Sequence, residues 1–162
     1  MDILDLIKRD HDEIDALFAE VAQVARDDRR GSGTVRLCGR LVVAARVHAR
    51  AEERVLYEML KTCPGPLKAF ALAGPHEHET LEITLDKLLV QRPSEELEVI
   101  VRVARDLFAM HARDEEETDI LPLVREAFSQ DELVAIGHDH VVEKARIRPQ
   151  IERFVVIPAR AA

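Results

Sequence analysis

The chain has 162 residues, of which 33% are charged and 4% aromatic, with no tryptophan, six glycines and a net charge of −8. That sign of charge opposes a nucleic-acid backbone or an anionic lipid surface, and so few aromatics and glycines argue against sandwiches and barrels and for an all-α chain. The length suits one domain over residues 1–162 with its own core.

The first segment, MDILDLIKRDHDE, holds no apolar run of the kind found in a secretion signal or membrane span, so a cytoplasmic location is expected. Asp2 is placed to cap the first helix. RRGSG (29–33) breaks the pattern, and Ser32 or Thr34 then caps a second helix. After CPGP (63–66), Pro75 is expected in the first turn of a third. QRPS (91–94) ends it, and Ser94 with Glu95 and Glu96 opens a fourth. These make an antiparallel up-down four-helix bundle over about residues 3–125. Ser129 to Glu132 has the form of a capping box, starting a shorter C-terminal fifth helix, with Pro149 and Pro158 leaving the remainder to 162 irregular. Cys38 and Cys63, at opposite ends of the second helical segment, are expected as separate reduced thiols.

The chain repeats itself. HARAEER (48–54) returns as HARDEEE (111–117), and Asp10-His11 returns as Glu77-His78. Each half is an acid-His helix followed by a His-Ala-Arg-x-Glu-Glu helix, which predicts a pseudo-twofold bundle with matching side chains from four helices.

A helix turns about 100° per residue, so each histidine can be placed against its neighbours' apolar stripe. His11 falls among Leu4, Ile7, Ile14, Phe18 and Val21. His48 and Glu52 continue the stripe of Leu37, Leu41, Ala44, Val55 and Met59; His111 and Glu115 continue that of Leu97, Ile100, Ala104 and Leu107. On the third helix His78 joins Leu81, Leu85 and Leu88, with Glu82 one turn on and His76 about 200° away. His11, His48, Glu52, His78, His111 and Glu115 are therefore expected to face inward. Burying six such groups without a partner costs about 1–3 kcal/mol or more each, which points to a metal such as iron, manganese or zinc. Two pseudo-symmetric carboxylates suit two bridged ions. Of about twelve octahedral positions, four imidazoles, two bridging carboxylates and an oxo or hydroxo bridge leave about two open, or one if Glu82 also binds.

Asp10 and Glu77 can orient imidazoles across the bundle or lie on a solvated flank. Glu53 is expected as a surface charge, Glu116 as a surface charge or as a further residue at or beside the metal, His138 and His140 as surface or boundary histidines, and Tyr57 as packing or as a neighbour of the centre.

These four motifs in order resemble the haemerythrin-like HHE cation-binding family, whose members are four-helix bundles holding a non-haem di-iron centre. The resemblance implies His11, His48, Glu52, His78, His111 and Glu115 as ligands of two iron ions, with Glu52 and Glu115 bridging. Oxygen-carrying haemerythrins use two histidines four apart on the third helix; here Gly74 precedes His78 by four residues and Glu82 follows it by four. The carriers also set the last carboxylate five residues after its histidine, which would select Glu116, whereas regular helix geometry and the match to Glu52 select Glu115. The resemblance implies reaction with dioxygen, hydrogen peroxide or nitric oxide, including catalase-like peroxide decomposition. The alternatives are a sensing or iron-handling module without turnover, and a structural zinc bundle.

Overall fold

The computed structural model describes residues 1–27, 32–90 and 95–155, and no strand occurs among them. The helices are α1 (Ile3–Asp27), α2 (Ser32–Arg54), α3 (Leu56–Leu60), α4 (Pro66–Val90), α5 (Glu95–Ala109), α6 (Leu121–Ala127) and α7 (Gln130–Phe154), and a π-helix over Met110–Ile120 continues α5 into α6. None of them is long and apolar enough to cross a membrane. The long helices pack in a ring in which α1 and α4 each neighbour both α2 and α5, while α7 lies against α1 and α2. The chain is an all-α bundle.

Local chemistry accounts for most boundaries. Asp2 accepts a hydrogen bond from the Asp5 amide at 3.1 Å, capping α1. Ser129 and Glu132 form the expected capping box at the start of α7. Ser32 is the first residue of α2, and Thr34 is buried within it. The expectations at Ser94 and Pro158 lie outside the described residues.

Two boundaries differ from expectation. α4 starts at Pro66, directly after Gly65 with its φ of 70°, and runs through Pro75. A proline loses one backbone bond inside a helix but suits the first turn; Pro66 takes the initiating place that Pro75 was expected to fill. The fifth long helix is not short: α7 spans 25 residues and continues through Pro149 to Phe154. Leu133, Ile136 and Ile147 are buried along α7, and this packing outweighs the lost bond.

Apolar side chains gather in two clusters, one at each end of the bundle. One holds Ile14, Phe18, Leu41, Leu85, Leu97 and Phe108; the other holds Ile3, Ile7, Leu56, Tyr57, Phe70 and Val124. On α1 the residue between Ile7 and Ile14 that continues the stripe is His11, which is fully buried. A polar layer therefore separates the two clusters, and it is where the histidines meet.

Candidate metal centre

Five of the six side chains expected to face inward do so. His11, His48, Glu52, His78 and His111 are each 3% exposed or less. His76 is exposed, as its place on the helix requires.

The sixth position is corrected. Glu116 is completely buried in the layer, whereas Glu115 is only partly covered and lies near Glu77 at the outer side of His111. The reason is the π-helix. Its bonds reach five residues back, as when the Leu121 amide donates to the Glu116 carbonyl, so each turn holds more residues than an α-helix. The inward carboxylate then falls five residues after His111 instead of four. Glu116 had been expected as a surface charge or as a further residue at or beside the metal, and the three consecutive glutamates of HARDEEE give no local signal for the change of pitch. The five-residue spacing of the oxygen carriers was the one clue.

The four imidazoles share one arrangement. Each turns Nδ1 outward to a carboxylate on a neighbouring helix: His11 to Glu117 at 2.7 Å, His78 to Glu53 at 3.1 Å, His111 to Glu77 at 2.7 Å and His48 towards Asp10 at 3.6 Å. For His11, His78 and His111 the contact is a hydrogen bond, and Nδ1–H donation to a carboxylate fixes the tautomer and leaves the Nε2 lone pair free; His48 Nδ1 stands just beyond that distance. All four Nε2 atoms face the centre. Those of His78 and His111 stand 3.0 Å apart, and Glu52 Oε2 lies 3.4 Å from His48 Nε2 and 3.6 Å from His78 Nε2. Glu116 Oε2 lies 3.3 Å from His11 Nε2 and 4.0 Å from His111 Nε2. Glu52 and Glu116 thus each span one histidine from either half of the repeat.

These groups fit a cation and little else. Two imidazole lone pairs cannot hydrogen-bond each other, so something positive belongs between them. His11 Nε2, both His48 nitrogens, Glu52 Oε1 and both Glu116 oxygens are buried with no hydrogen-bond partner among the described residues, a condition that costs about 1–3 kcal/mol per group. The ligand atoms of His11, His48, Glu52 and Glu116 lie within 4.8 Å of one another, as do those of Glu52, His78 and His111. Glu52 belongs to both groups.

The electrostatics divide the buried groups: against its burial, Glu116 and Glu117 raise His11 above the usual imidazole range. Burial, then the neighbouring charge of Glu116, pushes the Glu52 carboxyl well above the usual carboxylate range. Burial acts the same way on Glu116, but the close imidazoles of His11, His111 and His48 outweigh it and hold that carboxyl low. Burial drives His48 down, to about 3, and also lowers His78, so both favour the neutral form that binds metal.

Tyr57 completes the layer. It is fully buried, stacked on His78, with its hydroxyl 3.3 Å from both Glu52 Oε2 and His111 Nε2. Burial and the charges of Glu52 and Glu116 raise its pKa, so the phenol keeps its O–H. It reaches this place because α2 breaks at Val55 (φ −115°, ψ −68°), where one amide is shared between the Ala51 and Glu52 carbonyls at 3.0 and 3.3 Å. Its ring covers Gly74, where a Cβ would stand only 2.6 Å from Cε2. No side chain fits there in the presence of Tyr57, which is why the residue four before His78 is glycine.

The outer residues divide differently from expectation. Glu77 and Asp10 lie beside His111 and His48, in the orienting places considered for them. Glu53, expected as a surface charge, is only 16% exposed and serves His78. Glu82 instead pairs with Arg50 at 3.0 Å and with Arg46 at 3.7 Å. His138 is exposed, but His140, expected at the surface or boundary, is completely buried with Nε2 3.4 Å from Asp10. Its orientation depends on how α7 docks, which periodicity along α7 does not encode. Cys38 is buried and Cys63 half-buried, both as free thiols.

Against known proteins, the family model for the hemerythrin HHE cation binding domain matches residues 2–124. No curated protein and no solved structure matches the chain.

Proposed function

The chain belongs to the hemerythrin HHE cation-binding family, and on that premise we propose that the layer is a non-haem di-iron centre that binds or reacts with dioxygen, hydrogen peroxide or nitric oxide. His11 and His48 would hold one ion and His78 and His111 the other, with Glu52 and Glu116 shared between them. The observation that carries this reading is the common orientation of the four imidazoles, every Nε2 directed inward and every Nδ1 directed to an outer carboxylate. Iron bound there supplies redox equivalents and an open coordination position for a small ligand.

The protein's own residues set the conditions for that chemistry. The apolar clusters exclude water and strengthen each electrostatic contact within the layer. Glu53, Glu77 and Glu117 hold the rings in register and keep the Nδ1 protons in place. Tyr57 offers an O–H donor on the His78/His111 side, and Phe108, edge-on to His11 at 5.6 Å, offers none on the other. A small ligand able to accept a hydrogen bond is therefore favoured beside His78 and His111.

Metal analysis of protein purified from its native host, followed by optical spectroscopy for a coupled ferric pair, tests the reading. Iron at about two ions per chain supports it; zinc at full occupancy with no iron ends it. Peroxide turnover by the iron-loaded protein no faster than by free iron would remove the catalase-like activity and leave binding or sensing.

A further inference from the structure

The family match ends at residue 124, and α7 begins at Gln130, yet α7 reaches the centre's outer shell. Lys144 Nζ lies 2.5 Å from Asp10 Oδ2, and His140 Nε2 approaches the same oxygen at 3.4 Å. That oxygen is the one facing His48 Nδ1 at 3.6 Å. The other outer carboxylates with a cation partner take it from within the bundle, Glu117 from Arg113 and Glu53 from Arg50. Asp10 takes its cation from α7.

The docking is close. Gly137 passes so near the start of α1 that a Cβ there would stand 3.0 Å from the Asp2 carbonyl carbon and the Ile3 amide nitrogen. Glu143 pairs with Arg54 of α2 at 2.8 Å, a contact that does not involve Asp10. The Asp10 contacts and the Glu143–Arg54 pair are therefore separable, and of these two only the first leads to the metal layer.

We infer that Lys144 and His140 are positioning residues that couple the docking of α7 to metal at the His11/His48 half, acting through Asp10 on His48. With α7 docked, Asp10 Oδ2 is held facing His48 Nδ1 at 3.6 Å, which keeps the ring turned so that Nε2 faces the ion site. Linkage is reciprocal: if docked α7 strengthens metal binding, bound metal must strengthen the docking of α7 by the same factor. Occupancy of the buried layer is thus reported on the outer face of α7, where Val134, Val141 and Val142 are exposed. The inference rests on the reading of the layer as a metal site, and it assigns that site a built-in readout.

The test is amide hydrogen exchange of the full chain, metal-depleted and then loaded with ferrous ion without oxygen, in the unaltered protein, Lys144→Met, Lys144→Arg and Glu143→Gln. Ferrous ion should slow exchange across residues 137–147 roughly tenfold in the unaltered protein. Lys144→Met should lose most of that metal-dependent slowing and bind the ion correspondingly less tightly, with Lys144→Arg restoring part of both. Glu143→Gln should speed exchange of α7 whether or not metal is present, keeping the ratio between the two states. A protein that binds ferrous ion with no change in α7, or an equal loss of coupling in Lys144→Met and Glu143→Gln, would overturn the inference while leaving the centre intact. A protein that binds no metal would overturn the reading of the centre itself.

Discussion

The two copies of the His-Ala-Arg-x-Glu-Glu motif reach the same layer by different backbones. In α2 the helix stays regular from His48 to Glu52, and the irregularity follows at Val55. In the second copy the π-helix contains the whole motif from His111 to Glu117. The result is an exchange of roles: Glu52 faces inward and Glu53 serves an outer Nδ1, whereas Glu115 lies outside, Glu116 faces inward and Glu117 serves the outer Nδ1. Matching by sequence alone pairs each residue with a neighbour of its true counterpart. Helix pitch, not motif spacing, decides which carboxylate faces the centre.

The same contrast appears beside the histidines. Four residues before His11 stands Ile7, and four before His78 stands Gly74, with Tyr57 filling the space. At the sequence offset of the repeat Tyr57 corresponds to Ile120, and in the register shifted by the π-helix to Leu121; both are buried and aliphatic. One half of the layer, beside His11, is walled by apolar side chains that include Phe108, and the other carries a hydroxyl.

The largest effect should come from the exchanged carboxylates. Glu116→Gln should lose at least one ion per chain, while Glu115→Gln keeps full metal content, as read by metal analysis of the purified variants. Equal loss in both would mean that the π-helix does not set the ligand. Next come the outer carboxylates: Glu53→Gln and Glu77→Gln should each weaken metal affinity about 10–100-fold in a chelator competition, and unchanged affinity would show that the Nδ1 contacts do not orient the rings.

Gly74→Ala tests the asymmetry itself. Its Cβ would meet the Tyr57 ring, so the variant should lose about 1–3 kcal/mol of stability in denaturant unfolding. In Gly74→Ala combined with Tyr57→Ala that penalty should largely disappear, because the clashing ring is gone. The smallest effect belongs to Tyr57→Phe, which keeps the ring and removes only the O–H. It should retain metal and bind nitric oxide to the ferrous protein about 5–10-fold more weakly, the loss of one hydrogen bond; tighter binding would show that the phenol blocks the position instead.

Much of this was legible in the sequence because the groups concerned sit on regular helix. His11, His48, Glu52 and His78 obey a period set by neighbouring apolar residues, and the repeat gave their pairing. His111 was found because the α5 stripe runs up to it before the pitch changes. What escaped depended on information outside the local segment. The π-helix at Glu116 forms where three glutamates offer equivalent side chains, so no residue marks the register. Tyr57 enters the layer through a break at Val55 that involves no glycine or proline. His140 is buried by the way α7 crosses α1, and Pro149 fails to stop α7 because tertiary packing outweighs its intrinsic preference.

The enclosure of the layer has a kinetic meaning. Its six central residues are at most 3% exposed, and apolar clusters lie on either side. Among the described residues these clusters would shield an ion held there from a bulky chelator in solution. Metal release should then be timed by the opening of the protein, and raising the chelator concentration should bring the rate to a plateau that matches the slowest-exchanging amides. How long the ion stays would be a property of the fold, separate from how tightly its ligands hold it.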